Sequence, residues 1–224
     1  MRITMLSLVL LGATARADET KVPADVAKEM TQKTGQKCTA VRRILVPSDR
    51  VADVKRDLAA DLARIQVGDP ADKATRMGPL ASRSQVDEVR AGIDRLSAAS
   101  EVACGGSKPI APKGWFVAPT LLVARDARAD VFHAEEVFGP VATILPYSGD
   151  AAEAAEIVRR GGGGLVCSAY SNDAEWTERY EVMVRDDGLP WTTLEQAYVA
   201  AQALVDPVLA GHAGEWDAVT RRWS

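Results

Sequence analysis

Apolar residues along this chain follow two alternating rhythms. Val51, Val54, Leu58, Leu62 and Ile65 recur at three- and four-residue steps after Pro47, the spacing of one helix face, and Ser48 stands where it can cap the first turn. Val86, Val89, Ile93 and Leu96 repeat the rhythm in a second predicted helix. Between and after them come apolar runs of strand length: Ile44 to Val46, Phe116 to Val123, Val141 to Leu145, and Leu165 to Tyr170. Ala151 to Arg159 supplies a helix joining the last two, and strand, helix, strand at that length predicts a parallel, right-handed crossover. Alternation of this kind predicts an α/β domain, an open twisted, mainly parallel sheet with helices on both faces.

The two ends of the chain read differently. Asp173 to Arg185 has a helical pattern, broken by Asp186-Asp187-Gly188-Leu189-Pro190. Thr192 with Glu195, or Thr193 with Gln196, then offers a capping box for a helix carrying Leu194, Ala197, Tyr198, Ala201, Leu204, Val205 and Val208, which Pro207 kinks or ends. At the other end, Met1-Arg2, the apolar run Ile3 to Gly12 and Ala15-Arg16-Ala17 scan as a secretory signal peptide. That run is too short to span a bilayer as a helix.

Composition bounds the function. A length of 224 residues supports one good core and a small appendage. A net charge of −4 with no basic stripe argues against nucleic acid as a partner, and Arg42-Arg43 and Arg159-Arg160 read as isolated, solvated pairs. Cys38, Cys104 and Cys167 are widely spaced and odd in number, which supports neither a disulfide framework nor a Cys-x-x-Cys metal site. His133 and His212 have no ligand-spaced partners, so no metal is expected. No Gly-x-Gly-x-x-Gly fingerprint with a following ribose-binding acid is present, and Gly161 to Gly164 reads as a turn before a buried strand.

Cys38 carries the chemistry. It lies in Thr34-Gly35-Gln36-Lys37-Cys38-Thr39-Ala40, on a glycine-relaxed turn between a predicted helix and a strand. Such a thiol is either a small buried hydrophobe or, near backbone N–H groups and Lys37, a thiolate able to attack a carbonyl. About a hundred residues on comes Glu135-Glu136-Val137-Phe138-Gly139-Pro140, directly before the strand-like Val141 to Tyr147. Between the two lie Val67-Gly68-Asp69-Pro70, Met77-Gly78-Pro79-Leu80 and Gly114-Trp115-Phe116-Val117-Ala118-Pro119-Thr120-Leu121. In this order and separation the segments resemble the catalytic domain of the aldehyde dehydrogenase superfamily, over roughly residues 25 to 180. Gly35-Gln36-Lys37-Cys38-Thr39-Ala40-Val41-Arg42-Arg43 and Arg160-Gly161-Gly162-Gly163-Gly164-Leu165-Val166 are most similar to the aldehyde dehydrogenase half of the bifunctional ring-opening proteins of phenylacetate degradation.

The resemblance implies an aldehyde dehydrogenase catalytic-domain-like fold, truncated, with an uncertain segment at residues 1–24 and an unrecognised helical tail at 181–224. It implies Cys38 as the nucleophile, Glu136 as the residue that hydrogen-bonds the nicotinamide ribose, and Phe138 as the aromatic beside the nicotinamide. It further implies NAD or NADP as cofactor and a small-molecule aldehyde as substrate, a CoA-linked semialdehyde. Either a homo-oligomer or a separate chain bearing the cofactor domain remains open as protein partner. An upstream asparagine, the general-base glutamate and the dinucleotide fold have no counterpart here, so a non-catalytic remnant or partner subunit stands as the alternative. The resemblance also rereads Arg2 to Gly12 as a shortened pre-catalytic segment and the protein as cytoplasmic, against export from the signal-like reading.

Overall fold

The computed structural model describes residues 7–11, 24–162, 166–171, 173, 175–176 and 178–180. Their framework is one sheet of six strands: β1 (Ser7–Leu11), β2 (Val41–Pro47), β3 (Ser100–Cys104), β4 (Thr120–Ala124), β5 (Val141–Tyr147) and β6 (Val166–Tyr170), in the spatial order β3-β4-β5-β2-β1-β6. Every pairing is parallel except the edge pair β3–β4, which is antiparallel. The helices are α1 (Ala24–Thr31), α2 (Val51–Ala63), α3 (Arg83–Ser97), a short α4 (Val131–Ala134) and α5 (Ala151–Arg159).

The sheet is covered on both faces. Val54, Leu58 and Leu62 of α2, with Val26 and Met30 of α1, pack on Val41, Ile44, Val46, Leu121 and Ile144. Val86, Val89, Ile93 and Leu96 of α3, with Ala154, Ile157 and Val158 of α5, close over Leu45, Leu122 and Leu145 on the other side. Strands β2 and β4 are buried along their whole length, which is why they read as unbroken apolar runs rather than alternating ones. The helix expected over 151–159 runs from β5 to β6, and those strands are parallel as expected. They are not neighbours, however: β2 and β1 lie between them.

Several local expectations change. The run Phe116 to Val123 yields only β4, because Pro119 has no N–H for a ladder and the strand begins at Thr120. Strand β3 has no sequence signal, since an edge strand with exposed Glu101 and Val102 needs no second apolar face. Ser48 does not cap α2: it sits in a 3-10 turn, and its hydroxyl donates to the Tyr147 carbonyl at 2.8 Å. The signal-like run contributes β1, an interior strand hydrogen-bonded to β2 on one edge and β6 on the other. Of the helix expected from Asp173, the described residues include Trp176, whose N–H donates to Asp173 Oδ1 at 2.9 Å and whose ring stacks on Tyr180. The tail helix expected from Thr192 or Thr193 to Val208 and the Ala15-Arg16-Ala17 step lie outside the described residues. Among the described residues no helix is long and apolar enough to cross a membrane.

Arg42 and Arg43 are the main correction: both are buried, 6% and 3% exposed, not solvated. Arg43 lies on the α3–α5 face, where its Nη1 donates to the Ile157 carbonyl at 3.3 Å and meets His133 Nδ1 at 2.9 Å. His133 Nε2 lies 2.8 Å from the Ala127 carbonyl, which can only accept. The ring proton is therefore on Nε2, and Nδ1 accepts from Arg43. Burial, with the charges of Arg43 and Arg160, lowers the His133 pKa from 6.5 to about 4.

This coupling has a pH signature. Between pH 6.5 and about 4 the unfolded imidazole takes up a proton that the folded one refuses, so stability falls as pH falls through that window. Urea unfolding across pH will show this component in the wild type, and His133→Gln will lack it. Parallel curves for the two proteins would refute the assignment.

Candidate active site

The turn between α1 and β2 is built from unusual backbone. Lys33, Thr34 and Gly35 are consecutive left-handed residues, with φ of 52°, 57° and 68°. Glycine adopts this conformation freely, but for lysine and β-branched threonine it costs about 1–2 kcal/mol each. Surrounding contacts hold them there. The Thr34 hydroxyl donates to the Gly78 carbonyl at 3.2 Å, and the Gln36 side chain bridges Gln85 Oε1 (2.8 Å) and the Ala81 N–H (2.9 Å). Leu80 N–H in turn donates to the Trp115 carbonyl at 2.8 Å. The landmarks that lie far apart in sequence thus support one turn.

Cys38 sits just beyond. Ala40 N–H donates to the Lys37 carbonyl at 3.0 Å, closing a tight turn with Cys38 near its apex, and the thiol is exposed. Lys37 is half-buried, and its ammonium turns back to Glu29 and, at 3.0 Å, to Gln32 Oε1. It anchors the turn to α1. The other two thiols are less exposed than Cys38. Burial raises the pKa of half-buried Cys104, and of Cys167, which is buried 3.2 Å from the Tyr180 hydroxyl.

The segment Glu135 to Pro140 packs directly against this turn. A Cβ added to Gly35 would lie 2.2 Å from the Gly139 carbonyl oxygen and 2.5 Å from Pro140 N, so the two backbones touch with no space for a side chain. On its far side, a Cβ on Gly139 would meet Val89 at 2.7 Å, and one on Gly92 would meet Val137 at 2.6 Å. Helix α3 therefore presses the loop onto the cysteine turn, and the Glu135–Arg95 ion pair (2.5 Å) ties it there. Glu136 is half-buried and Phe138 is 40% exposed.

Arg42 lies across both segments. Its guanidinium donates to the Gly35 carbonyl (2.5 Å), the Gly139 carbonyl (2.9 Å) and the Lys37 carbonyl (3.4 Å), and its Cζ stands 5.6 Å from the Phe138 ring centroid. Burial lowers its pKa to about 10, opposed by the charge of Glu136, so it is cationic at neutral pH. It reaches this position because the β1–β2 register slips by one residue: Ser7 faces Val41 and Leu8 faces Arg43, leaving Arg42 as the extra residue. Arg42 and Thr34 were missed as site residues. The available signal was an arginine pair entering a run that must be buried, since buried charges need dedicated partners.

Beneath the loop a cavity of about 10 Å³ is lined by Arg42, Arg43, Glu135, Val137 and Thr143, among others. It has room for about one water and none for an aldehyde. Among the described residues no three His, Cys, Asp or Glu side chains converge as a metal site.

These features define an α/β protein that presents one accessible thiol on a clamped turn beside an acidic-aromatic loop. The chain belongs to the aldehyde dehydrogenase family, whose model matches residues 11–185. It is 42% identical over 157 residues to 3,4-dehydroadipyl-CoA semialdehyde dehydrogenase of Aromatoleum evansii, covering 67% of this chain and 30% of that protein. Succinate-semialdehyde dehydrogenase (NADP(+)) of Mycobacterium avium (strain 104) is 38% identical over 151 residues, 66% of this chain and 31% of that protein. The fold is similar to aldehyde dehydrogenase C of Pseudomonas syringae, solved with NAD+ and octanal, with a TM-score of 0.72, 26% identity and coverage of 81% and 37%. It is similar also to a Mycobacterium tuberculosis aldehyde dehydrogenase complexed with NAD+, with a TM-score of 0.70, 26% identity and the same coverage. The chain spans about a third of the length of these relatives.

The backbone contact can be tested against a matched control. Gly35→Ala meets both a φ of 68° and the Gly139 carbonyl, whereas Gly162→Ala meets a φ of 66° with nothing within 4 Å. The first is expected to lose at least about 2 kcal/mol in urea unfolding and the second about 1 kcal/mol. Equal losses would mean that the close approach is unimportant.

Proposed function

We propose that this chain supplies the nucleophile of an NAD(P)-dependent oxidation of an aldehyde to an acid, acting on a CoA-linked semialdehyde of aromatic breakdown. The observation that carries the reading is the exposed Cys38 thiol on a turn whose backbone touches the loop bearing Glu136 and Phe138. The substrate class follows the 42% identical relative from Aromatoleum evansii, and the succinate-semialdehyde relatives support a semialdehyde more broadly.

In this reading the Cys38 thiolate adds to the aldehyde carbon, and the carbonyl π electrons move onto oxygen. The backbone N–H at Cys38 stabilises the resulting oxyanion. The carbonyl then reforms as the C–H bond breaks, leaving a thioester on Cys38. Water cleaves that thioester, releasing the acid and the free thiol.

The residues present fit the nicotinamide end of a dinucleotide. In this reading the half-buried Glu136 would accept from the ribose hydroxyls, and the exposed Phe138 would offer a face for the ring, both on the loop adjoining the turn of Cys38. When bound, NAD or NADP supplies the acceptor for the hydride. A nicotinamide-linked reaction is in keeping with a cytoplasmic protein whose signal-like run forms β1.

Two measurements test the reading. Iodoacetamide at mildly alkaline pH should label Cys38 first, Cys104 more slowly, and Cys167 only on unfolding. Cleavage of p-nitrophenyl acetate should fall by about a hundredfold in Cys38→Ala. If Cys38→Ala cleaves the ester as fast as wild type, the nucleophile assignment is wrong, and the chain is better read as a non-catalytic remnant or partner subunit.

A further inference from the structure

We propose that Arg42 is a positioning residue, the clamp that sets the spacing between the Cys38 turn and the Glu136–Phe138 loop. The inference rests on the nucleophile role proposed for Cys38 and deepens it. The two backbones meet at Gly35 and Gly139 with no space for a side chain between them. Their relative position must therefore be set from beside the contact. Arg42 does this, bonding to Gly35 and Lys37 carbonyls on one segment and the Gly139 carbonyl on the other, while standing against the Phe138 ring.

The geometry requires arginine. Carbonyls on two segments and an aromatic ring are met at once by a planar fork with several fixed donors, whereas a lysine ammonium is a compact point charge. The lysine immediately before Cys38 cannot substitute, because its ammonium is held by Glu29 and Gln32. The register slip at the start of β2 serves the same end, since an arginine in regular pairing would follow the alternation of the strand. The guanidinium does not touch the reacting atoms in this assignment. It acts by holding the Cys38 turn against the loop that faces the cofactor, where a displacement of about 1 Å is worth about a hundredfold in rate.

The test uses the full chain with Arg42→Ala and Arg42→Lys. Hydrogen exchange is expected to rise roughly tenfold at amides of both segments together, around residues 35–40 and 136–139, while β4 and β5 keep their protection. Cys38-dependent ester cleavage is expected to lose about a hundredfold in kcat with KM held within about twofold. Guanidinium ion at tens of millimolar should restore Arg42→Ala and leave Arg42→Lys unchanged. Exchange that rises in one segment alone, in neither, or evenly across the sheet overturns the clamp. Should Arg42→Ala fail to fold, a wild-type exchange pattern and rate in Arg42→Lys overturns it as well. If the wild type shows no Cys38-dependent cleavage, the nucleophile reading fails while the exchange pattern still decides the clamp.

Discussion

At the heart of the site two stretches of main chain lie against each other at Gly35 and Gly139, bridged by the buried guanidinium of Arg42. The contact demands glycine at position 35, while the packing of Val89 demands it at 139, and it comes with left-handed backbone at Lys33, Thr34 and Gly35 and a register slip where β2 begins. Each of these is unfavourable in an isolated peptide. They persist because α3 closes over the loop from behind, Thr34 and Gln36 find partners near Pro79, and the sheet fixes β2 and β5 side by side. The exposed thiol is thus presented by rigid neighbours rather than by a loose loop, the arrangement that directed chemistry needs.

The two arginines at the start of β2 line one small cavity and divide the work by partner. Arg42 serves the cysteine turn, and Arg43 joins α4 and α5 through His133 and the Ile157 carbonyl. The hydrogen-bond partners of both guanidiniums are mostly uncharged carbonyls and a neutral imidazole, so burial lowers both pKa values to about 10 while leaving them charged. A buried cation in such company is costly, and removing its acceptors costs more. The packing around Arg43 is close: a Cβ on Gly161 would approach its Nη2 to 2.4 Å, which ties Gly161, just after α5, to this network. The cysteine turn and a buried hydrogen-bond network therefore share one dipeptide.

Much of the architecture was legible in advance. The helices α2, α3 and α5 follow directly from their apolar rhythm, and β2, β4, β5 and β6 from their apolar runs, because both faces of a parallel sheet are buried. What failed did so for identifiable reasons. Strand β3 lies at an edge and carries little hydrophobic signal. The run around Leu8 looks the same whether it forms a leader or an interior strand, since both demand apolar residues. Arg42 and Arg43 read as surface because charge usually marks solvent, and the buried run they enter, β2, was the weaker signal against it.

For the site, the family resemblance carried by the segments around Cys38 and Glu136 implied a thiol beside an acidic-aromatic loop; the residues alone left Cys38 open between a buried hydrophobe and a nucleophile. The sequence alone could not say that Gly35 lies on Gly139, that Lys37 turns away to Glu29, or that Arg42 joins the two segments. Those facts belong to the tertiary structure. They arise where strands distant in the chain become neighbours in the sheet, and only there do carbonyls separated by about a hundred residues converge on one cation.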